Sequence, residues 1–293
     1  MKNYGIAFTI PKKIAGKFSL PVLGMGTYGI GGRDVRDKDN DDERDILSIQ
    51  NALETGITHI DTAESYADGY SEILIGKAIK KYDRKKIFIT TKVRRSHLRY
   101  DDIIRSAQNS IKRIGIDSID LYLIHAPNKD IPMKESMKAM DFLVENQIIK
   151  NIGVSNFNSE LLKEAMSYTK YSIVNNQIHY NLSARSYEKD GTLEFCKKNK
   201  ILITAYRILG YDQYAPKGEE ILDIMSKKYN KTKSQIALRW VLQKQNIVAL
   251  VKSLNPEHLK DNLGAIGWRI APEDEKYLGT NFPEGFTMNT PYI

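Results

Sequence analysis

Short apolar runs rich in β-branched residues alternate with longer amphipathic runs along almost the whole chain. GITHIDTA, for example, precedes a helical pattern, and KIFITTKV precedes another. The eight helical runs cover residues 42–54, 71–81, 101–114, 132–145, 159–168, 187–199, 219–229 with a further helix over 234–244, and 258–263. This repeat of strand and then helix predicts parallel strands joined by crossover helices.

Eight such units close a parallel sheet into a barrel. The chain has 293 residues, a length typical of one (β/α)8 TIM barrel. Because no linker, low-complexity segment or change of composition divides the chain, we expect a single α/β domain over residues 1–293. The segment 4–20 contains two extended runs around Pro11–Gly16, which predict an N-terminal β-hairpin at the bottom of the barrel.

Composition narrows the classes of protein. Hydrophobic residues make up 41% of the chain, and no run approaches the ~20 apolar residues of a membrane helix, so we expect no membrane segment. Residues 1–14 lack the apolar core of a signal peptide, and Cys196 is the one cysteine, which excludes an intrachain disulfide. These features favour a cytoplasmic protein.

The formal net charge is +8, and the densest basic cluster covers residues 80–86. The cluster has neither interleaved aromatic residues nor a nucleic-acid motif, so we interpret it as solvated surface and expect no nucleic acid. The five histidines are scattered, without an HExxH motif or a cysteine pair, so we expect no metal. Strand alternation places His59 inside the barrel with Asp61.

Polar or aromatic residues stand at the end of every predicted strand. They are Thr27 and Tyr28, Asp61, Lys92, His125, Ser155 and Asn156, Gln177, Tyr206, and Lys252 and Ser253. In a (β/α)8 barrel the carboxyl ends of the strands form the active site. The pattern therefore predicts a ligand site at that mouth.

Asp61, Lys92 and His125 suit carbonyl reduction when Tyr66 is added to them. Tyr66 follows Asp61 in the same loop and can turn back towards Lys92 and His125. A neighbouring ammonium lowers the pKa of a phenol, and a carboxylate keeps that ammonium charged. His125 would orient a carbonyl oxygen, and the phenol would donate a proton to it. No side chain supplies a hydride, which implies a nicotinamide cofactor.

Other interpretations remain for each residue alone. Asp61 and Lys92 would also suit a structural ion pair, Tyr66 a packing role and His125 a satisfied buried histidine. Lys92 would also suit a Schiff base as in aldolase barrels, although Asp61 would keep it protonated. GMGTYG matches GxGxxG but runs into a loop and not a helix, so we discount a dinucleotide fingerprint there.

Several segments together carry a resemblance to the aldo-keto reductase family. They are GITHIDTAESYADGYSEILIGKAI, IFITTKV, SIKRIGIDSIDLYLIHAP, NIGVSNF, VNNQIHYN, ITAYRILG and ALVKSLNPEHLKDNL. They follow the family's order and cover nearly the whole chain. The family's catalytic tetrad falls on Asp61, Tyr66, Lys92 and His125. The resemblance implies that Tyr66 donates the proton, Lys92 tunes it, Asp61 supports Lys92 and His125 positions the carbonyl.

The same resemblance implies an NADP(H) cofactor, with NAD(H) as a weaker alternative. Ser155, Asn156 and Gln177 would hold the carboxamide, and Tyr206 would stack on the nicotinamide. The other implied cofactor residues are Gly26, Thr27, Tyr28 and Asp61 at the first two strand ends, Arg207, Leu209 and Gly210 at the pyrophosphate, Lys252, Ser253, Leu254, Asn255 and His258 at the 2′-phosphate, and Asp261 and Asn262 at the adenine.

Two positions depart from the family pattern. His258 stands where many relatives have arginine, and a partly charged histidine predicts a weaker or pH-dependent preference for the 2′-phosphate. Arg207 replaces a residue that is often serine, and its side chain either reaches over the pyrophosphate or points to solvent.

The resemblance implies reduction of small-molecule aldehydes and ketones to alcohols. Tyr28, Tyr66, His97 and His125 would line the substrate pocket, and His179 also lies in a predicted loop at its border. Short loops predict an open pocket that accepts small aldehydes. The alternative is a nicotinamide-binding regulatory subunit of the potassium-channel β-subunit type, with little turnover.

Overall fold

The structure is a computed structural model that describes residues 9–209 and 216–285. A two-stranded sheet of β1 (Lys12–Ala15) and β2 (Phe18–Pro21) precedes a closed barrel. The barrel strands are β3 (Leu23–Gly26), β4 (His59–Asp61), β5 (Phe88–Val93), β6 (Leu121–Ile124), β7 (Ile152–Ser155), β8 (Ile173–His179), β9 (Leu202–Tyr206) and β10 (Ile247–Val251). Neighbouring barrel strands are parallel, and β10 pairs with both β3 and β9. The predicted (β/α)8 barrel is thereby confirmed.

Helices follow each barrel strand. They are α1 (Asp42–Glu54), α2 (Tyr70–Ile79), α3 (Tyr100–Ile114), α4 (Met133–Glu145), α5 (Ser159–Ser167), α6 (Ser186–Lys189), α7 (Thr192–Lys198), α8 (Pro216–Tyr229), α9 (Lys233–Leu242), α10 (Pro256–Leu263) and α11 (Pro272–Asn281). Within the described ranges, none of them combines the length and the apolar character needed to cross a membrane.

One predicted helix is divided in the structure, and one observed helix was not predicted. The run 187–199 is broken into α6 and α7 at Gly191, whose φ of 79° interrupts a helix. The sequence interpretation also missed α11, which begins with Pro272 and three acidic residues in its first turn. Proline at the first helical position and acids beside the positive end of the helix dipole are a recognisable start signal.

Helix α3 shows why these segments form and where they end. Ile103, Ala107 and Ile114 are buried at helical spacing, so one face packs on the barrel and the other meets solvent. Acidic residues occupy its first turn and basic residues its last, in line with the helix dipole. Gly115 ends the helix with a φ of 73°, a conformation that glycine adopts at little cost.

The N-terminal hairpin closes the bottom of the barrel, as predicted, but its first strand, β1, lies within the segment 11–16 that was expected to join the two extended runs. Phe18 and Leu20 pack against Leu121, Leu202 and Val248, at the amino ends of three barrel strands. Lys13 on β1 donates hydrogen bonds from Nζ to the backbone oxygens of residues 242, 244 and 247. Residues 4–8 of the predicted hairpin lie outside the described residues.

The barrel interior accommodates one histidine by means of a glycine. His59 is buried, as predicted, and its Nε2 lies 2.9 Å from Thr90 Oγ1. Burial lowers the pKa of His59 to about 4, so the ring is neutral near pH 7. A Cβ at Gly24 would lie 2.5 Å from His59 Nδ1. The first glycine of GMGTYG therefore makes room for a side chain, and the segment leads into a loop, with α1 beginning only at Asp42.

The interior packing predicts the effect of adding one methyl group. A Cβ at Gly153 on β7 would lie 2.3 Å from Leu123 Cδ2 and 3.0 Å from the backbone oxygen of Asn175. We expect Gly153→Ala to lower the free energy of unfolding by about 1–3 kcal/mol, as overpacking does. Gly279→Ala in α11 is the matched control, because nothing lies within 4 Å of its Cβ.

Urea denaturation of both variants and the wild type measures this difference. In the control, replacing a helical glycine should raise the free energy of unfolding by about 0.5–1 kcal/mol. Equal stability of the two variants would mean that β7 yields easily to the added methyl group.

Candidate active site

A buried ion pair joins the ends of β4 and β5. Asp61 and Lys92 are 2% and 0% exposed. Lys92 Nζ donates to Asp61 Oδ1 at 2.7 Å and to the Thr62 backbone oxygen at 2.7 Å, and it lies 3.4 Å from Tyr66 Oη. The second oxygen of Asp61 accepts a hydrogen bond of 2.7 Å from Gln177 Nε2. Each charged group is thus almost completely satisfied by partners, as buried charges require.

The pair keeps Lys92 charged. Burial opposes the ammonium form, but the Asp61 carboxylate and the Tyr66 oxygen together raise the pKa of Lys92 above its usual 10.5. A Schiff base forms only from a neutral amine, so this environment disfavours the aldolase interpretation of Lys92. It favours a lysine that acts as a fixed positive charge.

The loop after β4 turns Tyr66 back towards the pair. Ala67 and Asp68 both have a φ of 51°, and their backbone N–H groups donate to the backbone oxygens of Arg33 and Asp34 at 2.6 and 3.1 Å. These bonds fasten the turn to the loop after β3. The Tyr66 ring then lies between Tyr28 and His125, with centroids 5.2 and 5.8 Å away in edge-to-face arrangements.

His125 follows β6 and completes the group of four. Its backbone N–H donates to the Val93 oxygen at 3.1 Å, and its Nδ1 lies 3.3 Å from Ser65 Oγ. Burial, together with the positive charges of Lys92 and Arg94, lowers the pKa of His125 to about 3. The imidazole is therefore neutral near pH 7 and suited to hydrogen bonding with a carbonyl oxygen. The structure thus brings together all four residues of the predicted tetrad.

The predicted carboxamide residues form one patch beside the tetrad. Ser155 Oγ donates to the Gln177 backbone oxygen at 2.9 Å, and Asn156 Nδ2 donates to the His125 oxygen at 3.2 Å. Asn156 Oδ1 accepts a 2.9 Å hydrogen bond from Tyr206 Oη. Because Gln177 also contacts Asp61, the patch and the tetrad are one connected polar network.

Two aromatic rings stack at the edge of this patch. Tyr206 ends β9, and its ring lies 5.6 Å from that of His179 with planes 20° apart. His179 is the last residue of β8, so the prediction that it lies in the following loop was wrong. Burial and Arg207 lower the pKa of His179 to about 4. A neutral ring therefore holds the orientation of Tyr206.

The segment predicted to line the pyrophosphate, residues 207–210, is described only as far as Leu209. Arg207 is exposed and has a φ of 57°, and its backbone oxygen accepts a 2.8 Å hydrogen bond from Asn181 Nδ2. Leu209 is half-buried and packs on the core. Gly210 lies outside the described residues.

The predicted phosphate residues cluster after β10. Lys252 is exposed, while Ser253 Oγ accepts from the Asn255 backbone N–H at 3.0 Å. Asn255 caps α10 by accepting from the Glu257 N–H at 2.9 Å, and His258 is exposed in the first turn. Desolvation by its neighbours and the charges of Arg33 and Arg44 lower the pKa of Lys252, with Asp45 opposing them. Arg33 and Arg44 thus place positive charge near Lys252, and Asp45 places negative charge there.

The residues predicted for the adenine end are already engaged by protein groups. The Asp261 side chain accepts hydrogen bonds from Thr232 Oγ1 at 3.0 Å and from Gln235 Nε2 at 3.0 Å. Asn262 is 3% exposed, and Leu254 is half-buried against the core. These contacts tie α10 to α9.

The end of β3 supports the tetrad through its backbone. Thr27 is buried, and both its backbone N–H and its Oγ1 donate to the backbone oxygen of Asp61, each at 3.0 Å. Ser71 Oγ in turn donates to Thr27 Oγ1 at 3.1 Å. Gly26 pairs with Asp61 in the barrel, and Tyr28 Oη donates to Asp34 at 3.3 Å. Thr27 therefore has a structural partner where the sequence suggested only a ligand.

Sequence interpretation missed Glu64 and Arg94. Glu64 is buried, and its Oε1 accepts from the Arg94 backbone N–H at 2.7 Å and lies 3.2 Å from His97 Nδ1. It thus fastens the loop after β5 to the loop that carries Tyr66. The placement of His97 at the substrate stays a prediction. The signal available in the sequence was an acidic residue directly before the SY pair, in a loop that already held Asp61.

A cavity of about 470 Å³ opens beside His125. It is lined by Asp34, Ser65, Arg94, Arg95, Ser96, Asn128 and Asp130. The Ser65 hydroxyl that contacts His125 forms part of its wall. The volume is in the range of small-molecule sites.

Comparison with known proteins agrees with this geometry. The model of the aldo/keto reductase family matches residues 22–278. The NADPH-dependent codeinone reductase 1-2 of Papaver somniferum is 30% identical over 303 residues, covering 94% of this chain and 89% of that protein. The aldo-keto reductase YhdN of Bacillus subtilis (strain 168) is 30% identical and covers 88% of each chain.

Solved structures extend the likeness to the fold. The thermostable aldo-keto reductase Tm1743, solved with the inhibitor epalrestat, superposes with a TM-score of 0.90 at 42% identity, covering 92% of this chain and 99% of that one. An aldo/keto reductase from Klebsiella pneumoniae, solved with NADP and acetate, gives a TM-score of 0.83 at 27% identity, covering 96% and 98%. The barrel, the connected tetrad and these matches show that the chain belongs to the aldo/keto reductase family.

Proposed function

We propose that the protein reduces aldehydes and ketones to alcohols with NADPH, and that Tyr66 donates the proton. One observation carries the proposal: a buried, charged Lys92 contacts Asp61 on one side and lies 3.4 Å from the Tyr66 oxygen on the other. The names of the relatives, among them an NADPH-dependent reductase, support the cofactor.

The tetrad accounts for the proton half of the reaction. The substrate oxygen would accept a hydrogen bond from Tyr66 Oη and contact the neutral ring of His125. When bound, the reduced nicotinamide supplies the hydride. As charge develops on the substrate oxygen, Tyr66 transfers its proton to it, and the ammonium of Lys92 stabilises the phenolate that remains. Asp61 keeps Lys92 charged and aimed. In alcohol oxidation each step runs in reverse.

The patch beside the tetrad fits a nicotinamide carboxamide. Gln177 donates through Nε2 to Asp61, so its Oε1 is the atom that would accept from the carboxamide N–H. Ser155 and Asn156 lie at the adjoining strand end, where they would border the bound carboxamide. Tyr206, held by Asn156 and stacked on His179, would offer an aromatic face to the nicotinamide ring.

The cationic edge after β10 fits a 2′-phosphate. Lys252 is exposed there, and the beginning of α10 adds N–H groups at the positive end of a helix dipole. His258 is exposed in the first turn of the same helix, and we propose that NADPH is preferred and NADH is accepted more weakly. The substrates would be small-molecule carbonyl compounds. The cytoplasmic location stays a prediction from the sequence, as does the single domain over residues 1–293.

Loss of NADPH absorbance with a panel of aldehydes tests the proposal. Turnover with members of the panel supports the reductase. Tight NADPH binding without turnover of any aldehyde would support the regulatory-subunit alternative instead. The reductase names of the relatives described above favour the first outcome.

Replacing the proton donor should separate binding from chemistry. We expect Tyr66→Phe to bind NADPH like the wild type and to reduce aldehydes at least about 100-fold more slowly, the usual contribution of a general acid. Tyr171→Phe is the matched control, because Tyr171 is 36% exposed on the surface. Fluorescence titration measures binding, and NADPH oxidation measures turnover. Unchanged turnover of Tyr66→Phe would remove Tyr66 as the acid.

Replacing the proposed phosphate ligand should change the choice of cofactor. We expect Lys252→Ala to weaken NADPH binding about tenfold, which corresponds to losing one charge-assisted hydrogen bond, and to leave NADH binding nearly unchanged. Lys260→Ala is the control, because Lys260 is exposed on α10, which follows the Lys252 loop, and pairs with Glu257 at 2.8 Å. The dissociation constants of NADPH and NADH are measured for the wild type and both variants. Equal weakening of NADPH and NADH would place Lys252 elsewhere than at the 2′-phosphate.

A further inference from the structure

The cavity beside His125 has an unusual lining for a small-molecule site. Such sites are mostly apolar with a few polar groups, whereas every residue that lines this one is polar or charged. It adjoins the tetrad, since Ser65 in its wall contacts His125. A substrate whose carbonyl group lies at Tyr66 and His125 would therefore extend its remaining part into polar surroundings.

The two arginines of the cavity differ in whether a carboxylate lies beside them. Arg94 Nη2 donates to Asp68 Oδ1 at 3.0 Å and contacts the Glu64 backbone oxygen at 3.4 Å. Arg95 is half-buried, and no carboxylate of the described residues lies within 4 Å of its guanidinium nitrogens. Its backbone oxygen accepts a 3.1 Å hydrogen bond from Asn128 Nδ2, whose residue also lines the cavity. Arg95 is therefore available to a ligand.

The charges of the cavity favour an anion over a cation. Asp34 and Asp130 also line the cavity, but both are exposed, so water and salt screen them. Asp34 also accepts a hydrogen bond from Tyr28. The arginines are half-buried and hence less screened. Burial and then the charges of Lys92 and Arg94 lower the pKa of His125 to about 3, so its neutral ring adds no charge to the cavity near pH 7.

We propose that this cavity is a carboxylate subsite, in which Arg95 selects carbonyl substrates that carry a carboxylate group away from the reacting carbon. Guanidinium binds carboxylate through paired hydrogen bonds, and the serine and asparagine side chains around it supply further donors. The inference rests on the proposed function and adds to it the class of substrate. The carboxylate does not react. The reaction remains the addition of a hydride and a proton to the carbonyl group.

Matched substrates test the subsite. The rate of NADPH oxidation gives kcat/KM for 4-formylbenzoate and for its neutral methyl ester. The two also differ by a methyl group and in electron withdrawal, so the change of the acid-to-ester ratio between variants isolates the effect of charge. We expect the wild type to prefer the acid, and the preference to fall as salt is raised. Arg95→Gln should lower kcat/KM for the acid about tenfold more than for the ester, mainly through KM, because one charge-assisted interaction is lost.

Two further variants complete the design. Asp130→Asn removes a negative charge from the lining and should raise kcat/KM for the acid. Arg99→Gln is the control, because Arg99 is 63% exposed outside the cavity, where it pairs with Glu135 at 3.8 Å, and it should leave the acid-to-ester ratio unchanged.

The outcomes separate the two proposals. If the wild type reduces the ester as well as the acid, or if Arg95→Gln lowers both equally, the subsite is refuted while carbonyl reduction stands. If Arg99→Gln changes the ratio as much as Arg95→Gln does, general surface charge and not a built subsite sets the preference, which also refutes it. If no aldehyde supports NADPH oxidation, both proposals fail.

Discussion

The site depends on keeping one positive charge in a place without water. Moving a charged amine and a carboxylate out of water costs several kcal/mol for each ion, and their attraction offsets this only with good geometry and full hydrogen bonding. Lys92 meets that condition through Asp61, the Thr62 oxygen and the Tyr66 oxygen. Gln177 occupies the other carboxylate oxygen. The pair is therefore better explained by the chemistry it permits next to Tyr66 than by a gain in stability.

The closed barrel supplies the geometry that this pair needs. Asp61 and Lys92 come from adjacent parallel strands, and Gln177 comes from β8, 116 residues away in sequence. Several non-glycine residues at the mouth have positive φ, a conformation with a cost that surrounding contacts must offset. They are Ala67, Asp68, Asn156 and Arg207. Strain of this kind at strand ends is consistent with a backbone shaped to place side chains.

Much of the fold and of the tetrad followed from the sequence, for a physical reason. Strand-then-helix periodicity marks every barrel unit, and parallel strands bring residues at their ends together whatever the loops do. The bounds of α1 were predicted without error, and the hairpin was placed at the correct end of the barrel. His59 was correctly placed inside the barrel because strand alternation has a fixed period.

The failures concern features that alternation and periodicity do not encode. A single glycine split the run 187–199, and α11 lacks the apolar stripe that would have revealed it. Glu64 and the polar cavity depend on how loops fold over the mouth, which strand ends do not specify. Thr27 was placed near the site, but its partner is the Asp61 backbone, a contact visible only in three dimensions.

The charge on Lys92 can be measured directly. With lysine labelled by ¹⁵N, NMR titration of the side-chain nitrogen gives its pKa in the folded protein, and the Lys92→Met variant identifies the signal. The buried pair predicts that Lys92 remains an ammonium up to and beyond pH 10.5, because the attraction of Asp61 and Tyr66 outweighs burial. A pKa below 10.5 would contradict this account. A value near neutral would make Lys92 a candidate nucleophile for a Schiff base.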